Sequence, residues 1–237
     1  MTLYADLVKP VSLETEKESL TGTFGQFVAE PLERGYATTL GNALRRVILS
    51  SLRGAAFSAV RIEGVFHEFS TISGVLEDVT DIILNLKEVV IRMDSAEPAR
   101  VAYRHSGTAG EFKAGDLECP PGIEVLNPDV HIATMNEEAS LDIELIVRVG
   151  RGYVPAERNA EEMQLGPQFI PMDSAYSPVR RCAYRVDKTR VGDVTDYDKL
   201  ILEVETNGTI APVDAVANAA KILNDNLRIF INFEEEE

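Results

Sequence analysis

The segment from Glu33 to Arg53 constrains the fold most, because ERGYATTLGNALRRVILSSLR has the apolar period of one long helix. With about 100° between successive residues, one side forms an ordinary core-facing stripe made of Leu40, Leu44, Val47, Ile48 and Ser51, with Tyr36 near it. The opposite side carries arginines around one leucine: Arg45, Arg46 and Arg53 around Leu49, beside Asn42. Arginines and desolvated apolar anchors dominate interfaces, so this side is predicted to be a docking surface. A surface helix with scattered arginines explains the pattern equally well.

A second long helix is predicted over Val213–Phe233, opened by Pro212 and Asp214. Its apolar residues form two stripes: a broad face of Val213, Val216, Ala217, Ala220, Leu223, Leu227 and Ile231, and a second stripe of Ala215, Ile222, Ile229 and Phe233. A helix that is apolar on two faces is buried on two faces. A second copy of the same helix is a suitable cover, so the pattern favours a homodimer.

Strand patterns separate these two helices and predict an α+β fold. The clearest strand is Ser140–Val149, in which apolar residues alternate along the chain. A short amphipathic helix is predicted over Val75–Leu86, and an irregular excursion over Arg151–Pro171. We therefore expect a discontinuous domain, residues 1–53 and 178–233, with a mixed sheet and two long helices. It carries an inserted, mostly β domain at 54–177, and 234–237 begin an acidic linker.

Composition excludes several classes of protein. The net charge of −16 opposes general binding to phosphate backbones, and no apolar run approaches a membrane span. The start, MTLYADLVKP, lacks the basic and apolar regions of a signal peptide, so we expect a cytoplasmic protein. Cys119 and Cys182 are too far apart in sequence to form a metal-binding motif or a disulfide framework.

No catalytic or cofactor motif stands out. His67-Glu68 is followed by Thr71 where a zinc-protease motif needs a second histidine, and Gly150-Arg151-Gly152 reads as a tight turn. We expect no metal, no cofactor and an assembly role. Two alternatives remain. One is an enzyme that uses clustered carboxylates; the other is a nucleic-acid binder, whose contacts would come from Arg45, Arg46, Arg53, Arg180 and Arg181.

Several motifs resemble the signature of the bacterial RNA polymerase alpha subunit family. They begin with EPLERGYATTLGNALRRVILSSLRGAA and RIEGVFHEFSTISGVLEDVTDIILNLKEVVIR. They continue through VGRGYVPAERN, DSAYSPVRRCAYRV, TDYDKLILEVETNGTI and the last helix, so the likeness covers essentially the whole chain. The sequence resembles alphaproteobacterial members of the family in four short segments: VTDIILNLK, Ile170-Pro171, YDKL and INFEE.

The resemblance implies a non-catalytic scaffold that homodimerises and binds the polymerase beta and beta-prime subunits. It implies that the two long helices form the dimer, and we expect its interface to include Tyr36, Leu40, Ile222, Ile229 and Phe233. Contact with the large subunits is expected from two further groups of residues: Arg45, Arg46 and Leu49 in the first helix, and Asp81, Lys87 and Met172 in the insert.

The family usually continues into a carboxy-terminal domain that binds promoter DNA. This sequence stops at Glu237, so we expect that domain to be absent and this fragment to bind no nucleic acid directly. Some relatives meet activators through an acidic loop of the insert, and Glu161 and Glu162 lie in that neighbourhood. A plain solvated loop is the alternative reading there.

Overall fold

The computed structural model describes residues 7–8, 10, 12–16, 19–164, 166–191 and 194–231. Phe233 and the predicted linker 234–237 therefore lie outside the described residues. The chain divides into two compact units: unit 1 comprises Met1–Leu52 and Pro178–Glu237, and unit 2 comprises Arg53–Ser177. Both contain strands and helices, and the α+β class is confirmed.

Unit 1 is built on a four-stranded sheet with two helices. Its strands are β1 Leu13–Thr15, β2 Phe24–Leu32, β13 Val179–Val191 and β14 Val194–Thr206, and its helices are α1 Tyr36–Ser51 and α4 Pro212–Ile231. The sheet order is β1-β2-β14-β13. Every pairing among these strands is antiparallel, whereas a mixed sheet was predicted. The polar stretch Gly192–Asp198 predicts a hairpin connection between the last two strands, but β14 already begins at Val194, so most of that stretch belongs to the strand.

The start of α1 is set by Gly35 and a buried carboxylate. Gly35 has φ 88°, a left-handed conformation that glycine adopts without strain, so the helix begins three residues after Glu33. Asp198 of β14 is buried and accepts hydrogen bonds from the Gly35 N–H (2.7 Å) and from Lys188 Nζ (2.9 Å). The Lys188 bond lowers the pKa of Asp198 despite burial, which keeps a negative charge at the helix N-terminus.

The inner side of α1 packs on β13 and β14 through Ala37, Gly41 and Ile48, which are its buried residues. Gly41 is required by close packing: a Cβ there would lie 2.6 Å from Cδ2 of Tyr184 and 2.9 Å from Cδ1 of Leu200. The helical period predicted Ile48 and Leu44, but it could not show that a glycine makes the closest approach to the sheet.

Gly41→Ala is expected to lower the free energy of unfolding by about 1–3 kcal/mol, because the added methyl overpacks the core. Helix propensity alone predicts the opposite change, because alanine is the better helix former by about 1 kcal/mol, so a loss of stability would indicate overpacking. Thermal or urea unfolding measures the change. Gly22→Ala is the matched control, because nothing lies within 4 Å of a Cβ at that position. Equal stability of the Gly41 variant and the wild type would contradict this packing.

Helix α4 packs on the core only through its first half. Its buried residues are Pro212, Ala215, Val216 and Ala219, and Ile222 packs against the same core while partly exposed. Ala215 and Val216 were assigned to different stripes, yet both are buried, because the side of α4 that faces the core lies between the two predicted stripes. From Asn224 to Ile231 every residue is exposed.

Unit 2 contains the remaining strands around its own core. The strands are β3 Arg53–Ile62, β4 Ile91–Met93, β5 Ala99–Ser106, β6 Gly110–Lys113, β7 Ile123–Val125, β8 His131–Met135, β9 Ser140–Arg151, β10 Tyr153–Val154, β11 Ile170–Pro171 and β12 Ser174–Ala175. One sheet has the order β5-β9-β3-β4-β7, with β11 also paired to β3. The pairs β6-β8 and β10-β12 form separate ribbons.

The helices of unit 2 are α2 Val79–Lys87, α3 Ala156–Met163 and a 3₁₀ turn, Ala114–Asp116. α2 begins after Asp78, whose carboxylate accepts the Asp81 N–H at 2.8 Å, so the helix starts four residues later than predicted. Val79, Ile82, Ile83 and Leu86 enter the core. Two predictions were wrong: α3 lies in the expected irregular excursion, and Gly150 lies inside β9 against the Tyr176 ring rather than in a turn.

Candidate interaction site

The outer side of α1 presents two arginines, Arg45 and Arg46. Arg46 is exposed, and within the described ranges its guanidinium makes no ion pair. Arg45 is half-buried and donates from Nη2 to Asn42 Oδ1 at 3.3 Å. Burial raises the pKa of the Cys182 thiol on β13 to about 11, and the positive charge of Arg45 partly opposes this rise. Arg46 is therefore the side chain of this face best placed to meet an anionic partner group.

Leu49 is not the exposed anchor that was predicted. It is half-buried and packs against the unit 1 core, to which α4 contributes Ala215, Val216 and Ala219. The helical period of one segment cannot show a neighbouring helix, and this is why the prediction placed Leu49 among solvated arginines. Only part of the Leu49 side chain remains available to a partner.

The far end of α4 carries large apolar side chains that contact little else. Ile229, Phe230 and Ile231 are 69%, 75% and 71% exposed, and Leu227 is 48% exposed. Exposed apolar residues on every side of a helix end are expensive in water. Of the other predicted dimer residues, Tyr36 is half-exposed, Leu40 is partly covered by Leu32, Ala37 and Leu200, and Ile222 faces the core.

In unit 2, Lys87 and Asp81 lie at opposite ends of α2. The Lys87 ammonium pairs with Asp173, which also accepts a hydrogen bond from the Tyr153 hydroxyl at 3.2 Å. Burial raises the pKa of Asp173, but the Lys87 and Tyr153 bonds outweigh it and leave the pKa lowered. Asp81 is exposed in the first turn of the helix. Lys87 is thus partly neutralised within the chain, whereas Asp81 is open to a partner.

Met172 was predicted as a contact residue, and the structure contradicts this because its side chain is 1% exposed and belongs to the unit 2 core. A buried network fixes its backbone: Asn159 Nδ2 donates to Met172 O (2.7 Å) and to Ser174 Oγ (2.9 Å). Ser174 in turn donates to Phe57 O at 2.7 Å. Its neighbour Asp173, not Met172, presents its side chain at the surface.

Glu161 and Glu162 lie on α3 and not in a loop. The Glu162 carboxylate forms ion pairs with Arg158 (2.9 Å) and Arg148 (3.2 Å), and both arginines lower its pKa. Glu161 is exposed. The two carboxylates therefore differ: Glu162 is engaged within unit 2, and Glu161 is the one open to solvent.

Sequence reasoning missed an apolar segment beside α2. Phe66, Phe69 and Leu76 are 77%, 81% and 81% exposed, and Leu84 of α2 is half-exposed. The backbone that carries the two phenylalanines is held in place, because Val79 N donates to Ser70 O (3.1 Å) and Thr80 Oγ1 to Glu68 O (2.9 Å). Aromatic side chains on a fixed backbone lose little entropy on binding, which suits a docking surface. Two phenylalanines three residues apart in a polar loop were the available signal.

Comparison with known proteins identifies the family. Residues 60–177 match the family described as the RNA polymerase Rpb3/RpoA insert domain. The DNA-directed RNA polymerase subunit alpha of Geobacter metallireducens is 54% identical over 98% of this chain and 68% of its own length. The chain belongs to the family of DNA-directed RNA polymerase alpha subunits. This family provides the non-catalytic assembly subunit of a multi-subunit enzyme.

Two further relatives have the same name. The subunit alpha of Desulfovibrio desulfuricans is 53% identical and that of Pelobacter propionicus 50%, each over 98% of this chain. The chain spans 66% and 68% of those relatives, about two thirds of their length. These relatives are deltaproteobacterial, so the expected alphaproteobacterial character is not supported.

Two observations bear on the excluded classes. No helix among the described residues is both long and apolar enough to cross a membrane. In the same part of the chain, no group of three or more histidine, cysteine, aspartate or glutamate side chains is placed to hold a metal ion.

Proposed function

We propose that this chain is the assembly scaffold of a bacterial RNA polymerase, acting in the cytoplasm. Two copies pair through unit 1, the dimerisation domain, and the dimer binds the beta and beta-prime subunits with the help of unit 2, the insert domain. The observation that carries the proposal is membership in the alpha-subunit family over nearly the whole chain. Nucleotide addition belongs to the large subunits, and this chain supplies binding surfaces.

The apolar end of α4 supports the dimer. Ile229, Phe230 and Ile231 have no cover within the described residues, and an identical helix offers a surface of matching chemistry. Tyr36 adds a half-exposed aromatic ring at the start of α1. Ile222 is expected to support the interface indirectly, by holding α4 on the core. Phe233 remains part of the proposed interface from its position in the apolar stripe alone.

Contact with the large subunits is proposed from both units. Unit 1 offers the Arg46 guanidinium, with Arg45 and the exposed part of Leu49 beside it. Unit 2 offers Asp81 at the start of α2 and the aromatic side chains Phe66 and Phe69. Arginine and exposed aromatic rings are enriched at protein interfaces, which supports a contact role for Arg46 in unit 1 and, separately, for Phe66 and Phe69 in unit 2.

Reconstitution tests the scaffold role. The chain is mixed with purified beta and then beta-prime from the same organism, and the product is separated by size. We expect a stable complex that contains two copies of this chain together with both large subunits. Failure of the chain to bind either large subunit under any order of addition would refute the proposal.

Replacing Phe66 and Phe69 together with serine is expected to weaken binding of a large subunit by roughly thirtyfold or more, since aromatic anchors each contribute about 1–2 kcal/mol or more. Both side chains are exposed, so the unfolding temperature of the free chain should not fall. Affinity is measured by pull-down titration. Leu13→Ser is the matched control, because it also replaces an exposed apolar side chain with serine, on β1 of unit 1. Unchanged affinity would remove this segment from the interface.

A further inference from the structure

His131 lies between two carboxylates that come from different parts of unit 2. Its Nε2 is 2.8 Å from Glu77 Oε1, and its Nδ1 is 2.8 Å from Glu111 Oε1. Ionised carboxylates only accept hydrogen bonds, so both contacts are hydrogen bonds only if both ring nitrogens carry a proton. The geometry is therefore that of an imidazolium bridging two anions. Neutral histidine has one N–H and can keep only one of the two bonds.

The three residues reinforce contacts that the backbone already makes, since Leu76 N donates to Thr134 O at 3.0 Å and β6 pairs with β8. His131 begins β8, Glu111 lies on its ribbon partner β6, and Glu77 lies in the segment just before α2. Glu77 is also held by Thr134 of β8, whose N–H and hydroxyl donate at 2.6 Å and 3.1 Å. The cluster thus adds side-chain bonds to the backbone contact that holds the entry to α2 on the β6-β8 ribbon.

No other charged side chain among the described residues makes a hydrogen bond or an ion pair with His131. Lys113 of β6 pairs with Glu111 Oε2 at 3.3 Å, and Asp116 of the 3₁₀ turn accepts the Lys113 N–H. Asp78 caps α2, and Asp81 makes no hydrogen bond to His131. Lys113 and His131 both pair with Glu111, whereas His131 is the one cation that pairs with Glu77 among the described residues. Loss of the imidazolium charge therefore leaves Glu77 without a cationic partner in this part of the chain.

We propose that His131 is a pH-sensitive clamp that fastens the segment leading into α2 to the β6-β8 ribbon. The clamp is closed while the imidazolium bridges both carboxylates and is weakened when the ring becomes neutral. The inference concerns the stability of this chain itself and holds independently of the proposed assembly role. Its consequence falls on the start of α2, next to the exposed Asp81.

The pH interval follows from the shifts. Hydrogen bonds to Glu77 and then Glu111 raise the pKa of His131 and outweigh its burial. A histidine with a raised folded-state pKa stabilises fully below its unfolded pKa, and that contribution is lost as pH rises through the folded pKa. Burial raises the pKa of Glu77, but the Thr134 and His131 bonds leave it lowered, and the His131 bond lowers the pKa of Glu111. The clamp therefore stabilises fully between the ordinary carboxyl pKa values and the ordinary histidine pKa. Its contribution is lost as pH falls through the lowered carboxyl pKa values or rises through the raised histidine pKa.

The test is an NMR titration of the histidine side chains in the whole chain, with protection of the Thr134 amide against hydrogen exchange read in parallel. We expect His131 to titrate above the ordinary histidine pKa, and Glu111→Gln to move that titration downward. The Thr134 protection factor, corrected for base catalysis, should fall about tenfold as His131 loses its proton, the size expected for loss of one charge-assisted hydrogen bond.

His131→Gln should remove the pH dependence of Thr134 protection. His105→Gln is the matched control, because within the described ranges His105 makes hydrogen bonds only to the neighbouring Thr108. If His131→Gln does not fold, the wild-type and Glu111→Gln titrations still decide the question. A His131 that titrates at or below the ordinary histidine pKa would overturn the proposal. So would Thr134 protection that is unchanged through the His131 titration.

Discussion

Replacing both Ile229 and Phe230 with aspartate should convert the chain to a folded monomer. In a two-fold dimer each substitution occurs twice, and each would place an unpaired carboxylate in an apolar interface. Burying an unpaired charge costs several kcal/mol, so the dissociation constant of the dimer should rise by roughly a thousandfold or more. The fold should survive, because these side chains lie beyond the last core contact of α4 and are mostly exposed within one chain.

The control for this experiment is Asn224→Asp, which also adds negative charge to an exposed position of α4. Sedimentation equilibrium measures association, and circular dichroism measures the fold. We expect the control to remain dimeric. A double variant that still dimerises with wild-type affinity would exclude the end of α4 from the interface. Ile222→Asp is a poorer test, because Ile222 packs on the core and its change would unfold unit 1 as well.

Arg46→Ala should leave folding and dimerisation unchanged and weaken binding of the beta subunit. The Arg46 guanidinium has no ion pair within the part of the chain that is described, so the free chain loses little. In the complex, truncation would leave the buried partner of the guanidinium unpaired, at a cost of about 2–5 kcal/mol. That corresponds to a loss of affinity of roughly thirtyfold to a few thousandfold.

Arg34→Ala is the matched control for Arg46, since Arg34 is an exposed arginine of unit 1 that pairs with Asp196 at 3.5 Å. Pull-down titration with beta should separate the two variants. Arg46→Lys should bind beta more tightly than Arg46→Ala but less tightly than the wild type if the guanidinium makes a bidentate contact, because an ammonium cannot make two parallel hydrogen bonds in that geometry. If Arg46→Ala captured beta as well as the wild type, its proposed role would be wrong.

The sequence predicted those parts of unit 1 that depend on local periodicity. The 3.6-residue period located α1 and its core residue Ile48, and the doubly apolar pattern of α4 anticipated exposed apolar residues such as Ile229. The same period predicted the exposure of Leu49 incorrectly, because the pattern of one segment does not show which neighbouring element packs against it. The helical period also assigned Ala215 and Val216 to different faces of α4, whereas both are buried against the core.

The insert was harder to predict because its contacts join residues far apart in sequence. Met172 lies in a segment without periodicity, and its burial depends on Asn159 and Ser58, which hold its backbone. Helix α3 was missed because it is short and polar, so it has little apolar stripe to detect. The His131 cluster joins Glu77, Glu111 and His131, a combination that no spacing rule indicates.

The solution mass of the purified chain tests the central claim most directly. Light scattering on a sizing column, over a wide range of concentrations, should give a mass near twice the 26.1 kDa of one chain. A mass of 26.1 kDa that does not change with concentration would mean that the apolar end of α4 needs no second copy, and it would contradict the dimeric scaffold.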